Sequence, residues 1–109
     1  MKCLVSVIMR TEAEGGRNHD AFCRAKGVPG PHYRPQFQII GSSNGPIDMQ
    51  FTEEIRLVRG ERFVTEIESI FEGADYSEFK TGKKFVICEG SRVVGDGRIL
   101  ATSPPTKED

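Results

Sequence analysis

The 109-residue sequence lacks tryptophan, any large net charge and any long apolar run. Its 15 basic and 16 acidic side chains leave a formal net charge of −1, so bulk charge does not draw the chain to nucleic acid or to an anionic membrane. No stretch approaches the roughly 18 apolar residues of a membrane-spanning helix. The apolar start, residues 1–9, is followed at once by Arg10 and is too short for a secretory signal. We therefore expect a soluble protein with no membrane partner.

Cysteine is also scarce. Cys3, Cys23 and Cys88 are an odd number without a Cys-x-x-Cys pair, so the sequence indicates neither a disulfide framework nor a four-ligand zinc site. This usage favours a reducing, cytoplasmic location. His19, Cys23 and His32 could bind a metal only in one particular loop conformation, and their spacing does not indicate that conformation. We therefore predict no metal.

The usual nucleotide-binding motifs are missing. The Gly-Lys pair at 82–83 is followed by lysine and preceded, at the position where a Walker A loop needs glycine, by Ser77. The Gly-Asp-Gly segment 95–97 lacks the third glycine and the following helix of a dinucleotide fingerprint, so we interpret it as a bend or a close approach within a strand. No motif places a base or an oxyanion donor beside a cysteine. We predict no bound nucleotide, no cofactor and no catalysis.

What the sequence does contain is a series of short apolar runs rich in β-branched residues, with no convincing helix. Six strands are predicted, at 4–9, 37–40, 47–52, 63–68, 85–88 and 93–100, with 89–92 as a tight hairpin between the last two. Six antiparallel strands in one small all-β domain imply a closed barrel or a sandwich. The side chains expected to face inward are those of Val5, Val7, Phe37, Ile39, Phe63, Ile67, Phe85, Ile87, Val94 and Ile99.

Two segments are expected to be irregular. Residues 12–33, rich in glycine and proline, form one long loop, and residues 102–109 form a flexible C-terminal tail after a domain spanning 1–101. Charge is uneven along the chain, with a net +3 over 1–37, −6 over 38–78 and +2 over 79–109. A local basic patch is therefore possible even though the charges nearly cancel overall.

Three segments carry a resemblance to a known family. They read Glu-Gly-Gly-Arg at 14–17, Tyr-Arg-Pro-Gln-Phe at 33–37 and FVICEGSRVVGDG at 85–97. In this order they resemble the third domain of elongation factor Tu, where the family has EGGR, YRPQF and FAIREGGRTVGAG. The resemblance covers nearly residues 1–101 and implies a single closed six-stranded antiparallel barrel. We expect no GTP hydrolysis, because the family's GTPase domain has no counterpart in these segments.

In the family this domain contacts the GTPase domain and binds the T-stem backbone of aminoacyl-tRNA. Contact positions carried over by the resemblance are Arg17, Gln36, Glu89 and Gly90, and Arg92 is the basic residue beside the last two. A structural role is the alternative for several of them: Arg17 pairs with an acid of the same barrel, and Gly90 serves only its hairpin.

The sequence also departs from the family. Phe71 stands where the family uses a lysine, Cys88 where it has an arginine and Asn18 where it has a histidine, and residues 23–32 enlarge the loop. Two cationic contacts are therefore lost, and Phe71 becomes a candidate contact for protein. We predict a protein-interaction or regulatory module linked to translation. The alternative is a weak tRNA- or RNA-backbone-binding module that uses the family's tRNA-contacting face.

Overall fold

The computed structural model describes residues 1–71 and 73–103, and these form eight strands and one turn of 3-10 helix. The 3-10 turn spans Glu12–Glu14 and follows the first strand. Within the described ranges no helix has the length and apolar character needed to cross a membrane. The strands are β1 (Lys2–Met9), β2 (Ala21–Cys23), β3 (Gln36–Ile39), β4 (Ile47–Phe51), β5 (Ile55–Leu57), β6 (Arg62–Ser69), β7 (Lys84–Glu89) and β8 (Arg92–Ser103).

Six of these strands close into an antiparallel barrel in the order β1-β6-β4-β3-β7-β8. β1 closes it by pairing on both of its edges, so that Val5 lies opposite Thr65 of β6 and opposite Ile99 of β8. Closure removes the free strand edges that would otherwise invite pairing with another chain. The predicted all-β fold, a closed six-stranded antiparallel barrel, is confirmed.

The core lies inside the barrel and follows from the two-residue period of its strands. Of the ten side chains expected to face inward, nine are buried, the most exposed being Ile39 at 4%. Phe63 is half-buried and packs against the edge of this core. Aromatic contacts inside the barrel include Phe37, whose ring centroid lies 5.9 Å from that of Phe51 and 5.5 Å from that of Phe85.

The segment 12–33, expected to be one long loop, contains the short strand β2. β2 pairs with β5, which was not predicted either, in a separate two-stranded ribbon. Ala21, Cys23 and Leu57 anchor the ribbon by burying their side chains in the core cluster. Three residues of alternation are too few to distinguish a strand from a loop by pattern, and burial supplies the missing stabilisation.

The last strand is longer than expected. β8 extends to Ser103, where Thr102 and Ser103 pair with Cys3 and Lys2 of β1. The rest of the predicted tail, 104–109, lies outside the described residues.

Gly97 permits a close approach between strands of the barrel. It lies opposite Phe85 of β7 and Val7 of β1, and a Cβ at this position would overlap the Phe85 ring and come within 2.8 Å of the Ser6 carbonyl oxygen. Gly95 is similarly crowded by the sulfur of Met9, at 2.9 Å. The interpretation of segment 95–97 as a close approach within a strand is confirmed.

Replacing Gly97 with alanine should therefore destabilise the barrel. We expect Gly97→Ala to lower the free energy of unfolding by about 1–3 kcal/mol, because Phe85 must leave its packed position. Gly45→Ala is the matched control, since nothing lies within 4 Å of the added Cβ, and it should change stability by less than about 0.5 kcal/mol. Urea unfolding of both variants checks this, and equal effects would contradict it.

Candidate functional site

Five of the six predicted site residues meet at one end of the barrel. Antiparallel pairing places the start of β3, the end of β7 and the start of β8 together, because Gln36 lies opposite Cys88 and Glu89 lies opposite Arg92. We call this the hairpin end, after the β7–β8 hairpin, and the opposite end, where β1 begins and β6 ends, the cleft end. Arg17 joins the hairpin end through its contact with Glu89.

Arg17, Tyr33 and Glu89 form a compact cluster. An Nη of Arg17 donates to Oε2 of Glu89, and the hydroxyl of Tyr33 donates to the same oxygen at 2.6 Å. The guanidinium carbon of Arg17 lies 5.0 Å from the centroid of the Tyr33 ring, within cation–π range. The other partner of that ring is Phe51, stacked with its centroid 6.2 Å away. The cluster thus connects the hairpin end to the core of the barrel.

A second ion pair holds the backbone around Arg17. Asp20 accepts from Nε of Arg59 at 3.0 Å and from the backbone N–H of Arg59 at 3.1 Å. Arg59 also donates to the carbonyl oxygen of Arg17 at 3.1 Å, while Nε of Arg17 donates to the carbonyl of His19 at the same distance. Arg17 is therefore positioned by its main chain as well as by its side chain.

The electrostatics of the cluster favour fixed protonation states. Burial, together with the hydrogen bond to the Glu89 carboxylate, raises the pKa of Tyr33 well above its ordinary value. Burial alone would lower the pKa of Arg17, but the hydrogen bond to Glu89 and the charge of that carboxylate outweigh it, so the pKa of Arg17 is raised. The phenol and the guanidinium therefore keep their protons at neutral pH.

The thiols do not resemble activated nucleophiles. Burial raises the pKa of Cys23 to about 12 and that of Cys3 to about 11, and it also raises the pKa of Cys88. A nucleophilic cysteine needs the opposite shift, because only the thiolate attacks. Among residues 1–71 and 73–103, no three His, Cys, Asp or Glu side chains are arranged to hold a metal ion.

Gly90 and Gln36 have clear structural roles. Gly90 has φ +61° at the first central position of the two-residue turn, and Ser91 has negative φ, as in a type II′ hairpin turn. A side chain at Gly90 would strain this turn. Gln36 is half-buried and pairs with strands on both sides, opposite Cys88 and Asp48.

Phe71 lies at the cleft end, away from the other five residues. It lies two residues after the end of β6, and the residue is 53% exposed. It borders a mainly apolar cleft of about 590 Å³, whose lining comprises Met1, Ser69, Ile70, Phe71, Gly73, Ala74, Tyr76 and Ser77. The hydroxyl of Tyr76 supports the rim by accepting from the backbone N–H groups of Ile70 and Phe71, both at 3.3 Å. The candidate residues thus form two separate sites.

Sequence reasoning missed several members of these sites. Tyr33 stands first in the Tyr-Arg-Pro-Gln-Phe motif but was not singled out, and nothing in the sequence around Asp20 or Arg59 indicated that the two residues pair. Neither a protein-family model nor a curated protein matches this sequence. The resemblance to elongation factor Tu therefore stays a prediction, and function must be argued from the geometry.

Removing the Tyr33 hydroxyl should change the stability of the protein at alkaline pH. In the folded protein the pKa of Tyr33 lies above the ordinary value near 10. The stabilisation from its protonated hydroxyl is therefore complete below about pH 10 and is lost as pH rises further. We expect Tyr33→Phe to be about 1 kcal/mol less stable at neutral pH. Above about pH 10, wild type should lose up to about 1.4 kcal/mol per pH unit more than the variant.

Urea unfolding of both proteins over a pH series measures this difference. The three cysteines are common to wild type and variant, so their ionisation cancels in the comparison. Parallel stability curves above about pH 10 would show that Tyr33 ionises as easily in the folded as in the unfolded chain.

Proposed function

We propose that this chain is a non-catalytic protein-binding module that resembles the third domain of elongation factor Tu and is linked to translation. The observation that carries the proposal is the cleft beside Phe71. The cleft is large enough for a bulky apolar side chain of a partner, and the half-exposed aromatic ring beside it adds contact area. Buried aromatic and apolar anchors supply most of the energy of protein interfaces.

The charges at the hairpin end support a protein partner over RNA. Arg17 is already paired with Glu89, and Arg59 with Asp20. On the flank of the same end, Arg10 forms a two-point pair with Asp96, with both N–O distances 2.9 Å. A phosphate would have to compete with these carboxylates for each arginine, which costs binding energy. These paired charges weaken the case for RNA at the hairpin end, and the proposed protein site is the separate cleft at the other end.

RNA-backbone binding by Arg17, Gln36, Glu89, Gly90 and Arg92 is the alternative. Arg92 supports it, because its exposed side chain forms no ion pair with the residues that the structure describes. One such cation predicts weak affinity and a shallow dependence on salt. The experiment below separates the two functions.

Phe71→Lys should weaken the protein complex. The protein is immobilised and exposed to nuclease-treated cell extract, and the bound proteins are quantified. We expect at least about tenfold less of the specifically bound partner with Phe71→Lys, because a charge replaces an apolar anchor. Val64→Lys is the matched control, since Val64 is 59% exposed on the side of the barrel and should leave recovery unchanged.

Equal recovery by wild type and Phe71→Lys would contradict the role of the cleft. Partners that disappear entirely on nuclease treatment, together with binding of folded tRNA at low salt that Arg92→Glu abolishes, would establish the RNA alternative instead.

A further inference from the structure

The β2–β5 ribbon has one buried and one exposed face. Ala21, Cys23 and Leu57 point into the core, while Phe22 and Arg56 lie directly opposite each other on the outward face. Phe22 is 46% exposed, and it differs from the other exposed apolar side chains in lying beside two arginines. This face therefore combines an exposed aromatic ring with positive charge.

Two arginines flank the Phe22 ring. Arg56 lies across the ribbon, at the spacing of a directly opposed cross-strand pair. Arg24 follows two residues later on the same side of the chain, and its guanidinium carbon lies 6.0 Å from the ring centroid. Neither arginine forms an ion pair within the described part of the chain, unlike Arg17 and Arg59 nearby in the same end of the barrel.

Arg24 is held in this position by the enlarged loop. Gly30 has φ +116°, and its backbone lies so close that a Cβ would come within 2.9 Å of Nε of Arg24. The guanidinium thus contacts the Phe22 ring and also lies against the glycine. The loop 23–32 therefore presents an arginine next to an exposed aromatic ring.

We propose that Phe22, Arg24 and Arg56 bind single-stranded nucleic acid. In this arrangement one base stacks on the Phe22 ring or on the Arg24 guanidinium, and Arg24 and Arg56 contact the adjacent phosphates. An aromatic platform beside cations without carboxylate partners is the composition that such binding requires. Every base has a face that can stack, so we expect little sequence preference.

The charges favour nucleic acid over a protein ligand on this face. A phosphodiester chain supplies one negative charge per nucleotide together with a base to stack, so it matches both arginines and the ring at once. This surface shares no residue with the cleft beside Phe71 or with the RNA alternative at Arg17 and Arg92. The inference therefore does not rest on the proposed function.

The test is fluorescence anisotropy of a labelled oligouridylate of about ten nucleotides at low salt, titrated with the full chain. Phe22→Ala should weaken binding about tenfold to a hundredfold, and Phe22→Tyr, which keeps the ring, should restore it. Phe71→Ala is the matched control, because it removes an equally exposed ring at the other end of the barrel and should leave affinity unchanged.

The arginines are tested through the salt dependence. Arg56→Gln should reduce the slope of log affinity against log salt by about 0.7, as expected for one lost phosphate contact. Arg98→Gln removes an exposed arginine from β8 and should leave the slope unchanged. Far-UV circular dichroism and urea unfolding establish that each variant is folded, which is expected because the side chains changed lie outside the core.

Three results would overturn the proposal. Absence of binding by folded wild type at low salt is the first, and equal loss of affinity in Phe22→Ala and Phe71→Ala is the second. The third is displacement of the oligonucleotide by poly-L-glutamate as effectively as by unlabelled oligouridylate, which would indicate a simple anion patch suited to an acidic protein. Phe71→Lys should bind the oligonucleotide like wild type whether or not the protein-binding function holds.

Discussion

Closure of the sheet by β1 is the constraint on which the rest of this structure depends. β1 pairs with both β6 and β8, so β8 must lie close to β1 as well as to β7. Gly97 allows this approach, because the Phe85 ring occupies the space that the Cβ of any other residue would need. Closure removes the free edges of the barrel and directs alternate side chains inward. It also divides the connecting segments between two ends, and this division determines which side chains can act together.

The hairpin end shows how closure brings distant segments into one stabilising cluster. Glu89 accepts from Arg17 and Tyr33, and Tyr33 stacks on Phe51 at the edge of the core, so the cluster fastens the segment before β2 to the barrel. The ion pair with Glu89 also neutralises the positive charge of Arg17. A residue that the resemblance assigns to RNA contact thus has an internal partner, and a phosphate would have to compete with Glu89 for it.

The segment between Arg17 and Tyr33 has a different consequence. It contains β2, which brings one buried face to the core and one exposed face to solvent. Because burial of Ala21 and Cys23 holds the strand in place, Phe22 is free to remain outside. The ribbon is thus a surface that the resemblance to elongation factor Tu does not anticipate.

The sequence by itself determined the six barrel strands, nine of the ten residues predicted to face inward and the β7–β8 turn, because alternation and turn-forming glycine are local properties of a few consecutive residues. It also grouped Arg17, Gln36, Glu89, Gly90 and Arg92 through the resemblance. Only the tertiary structure decided that Arg17 pairs with Glu89, that Phe71 lies at the opposite end, and that β2 and β5 meet. These relations join segments far apart in the chain, and they depend on how the closed sheet arranges its ends rather than on any local pattern.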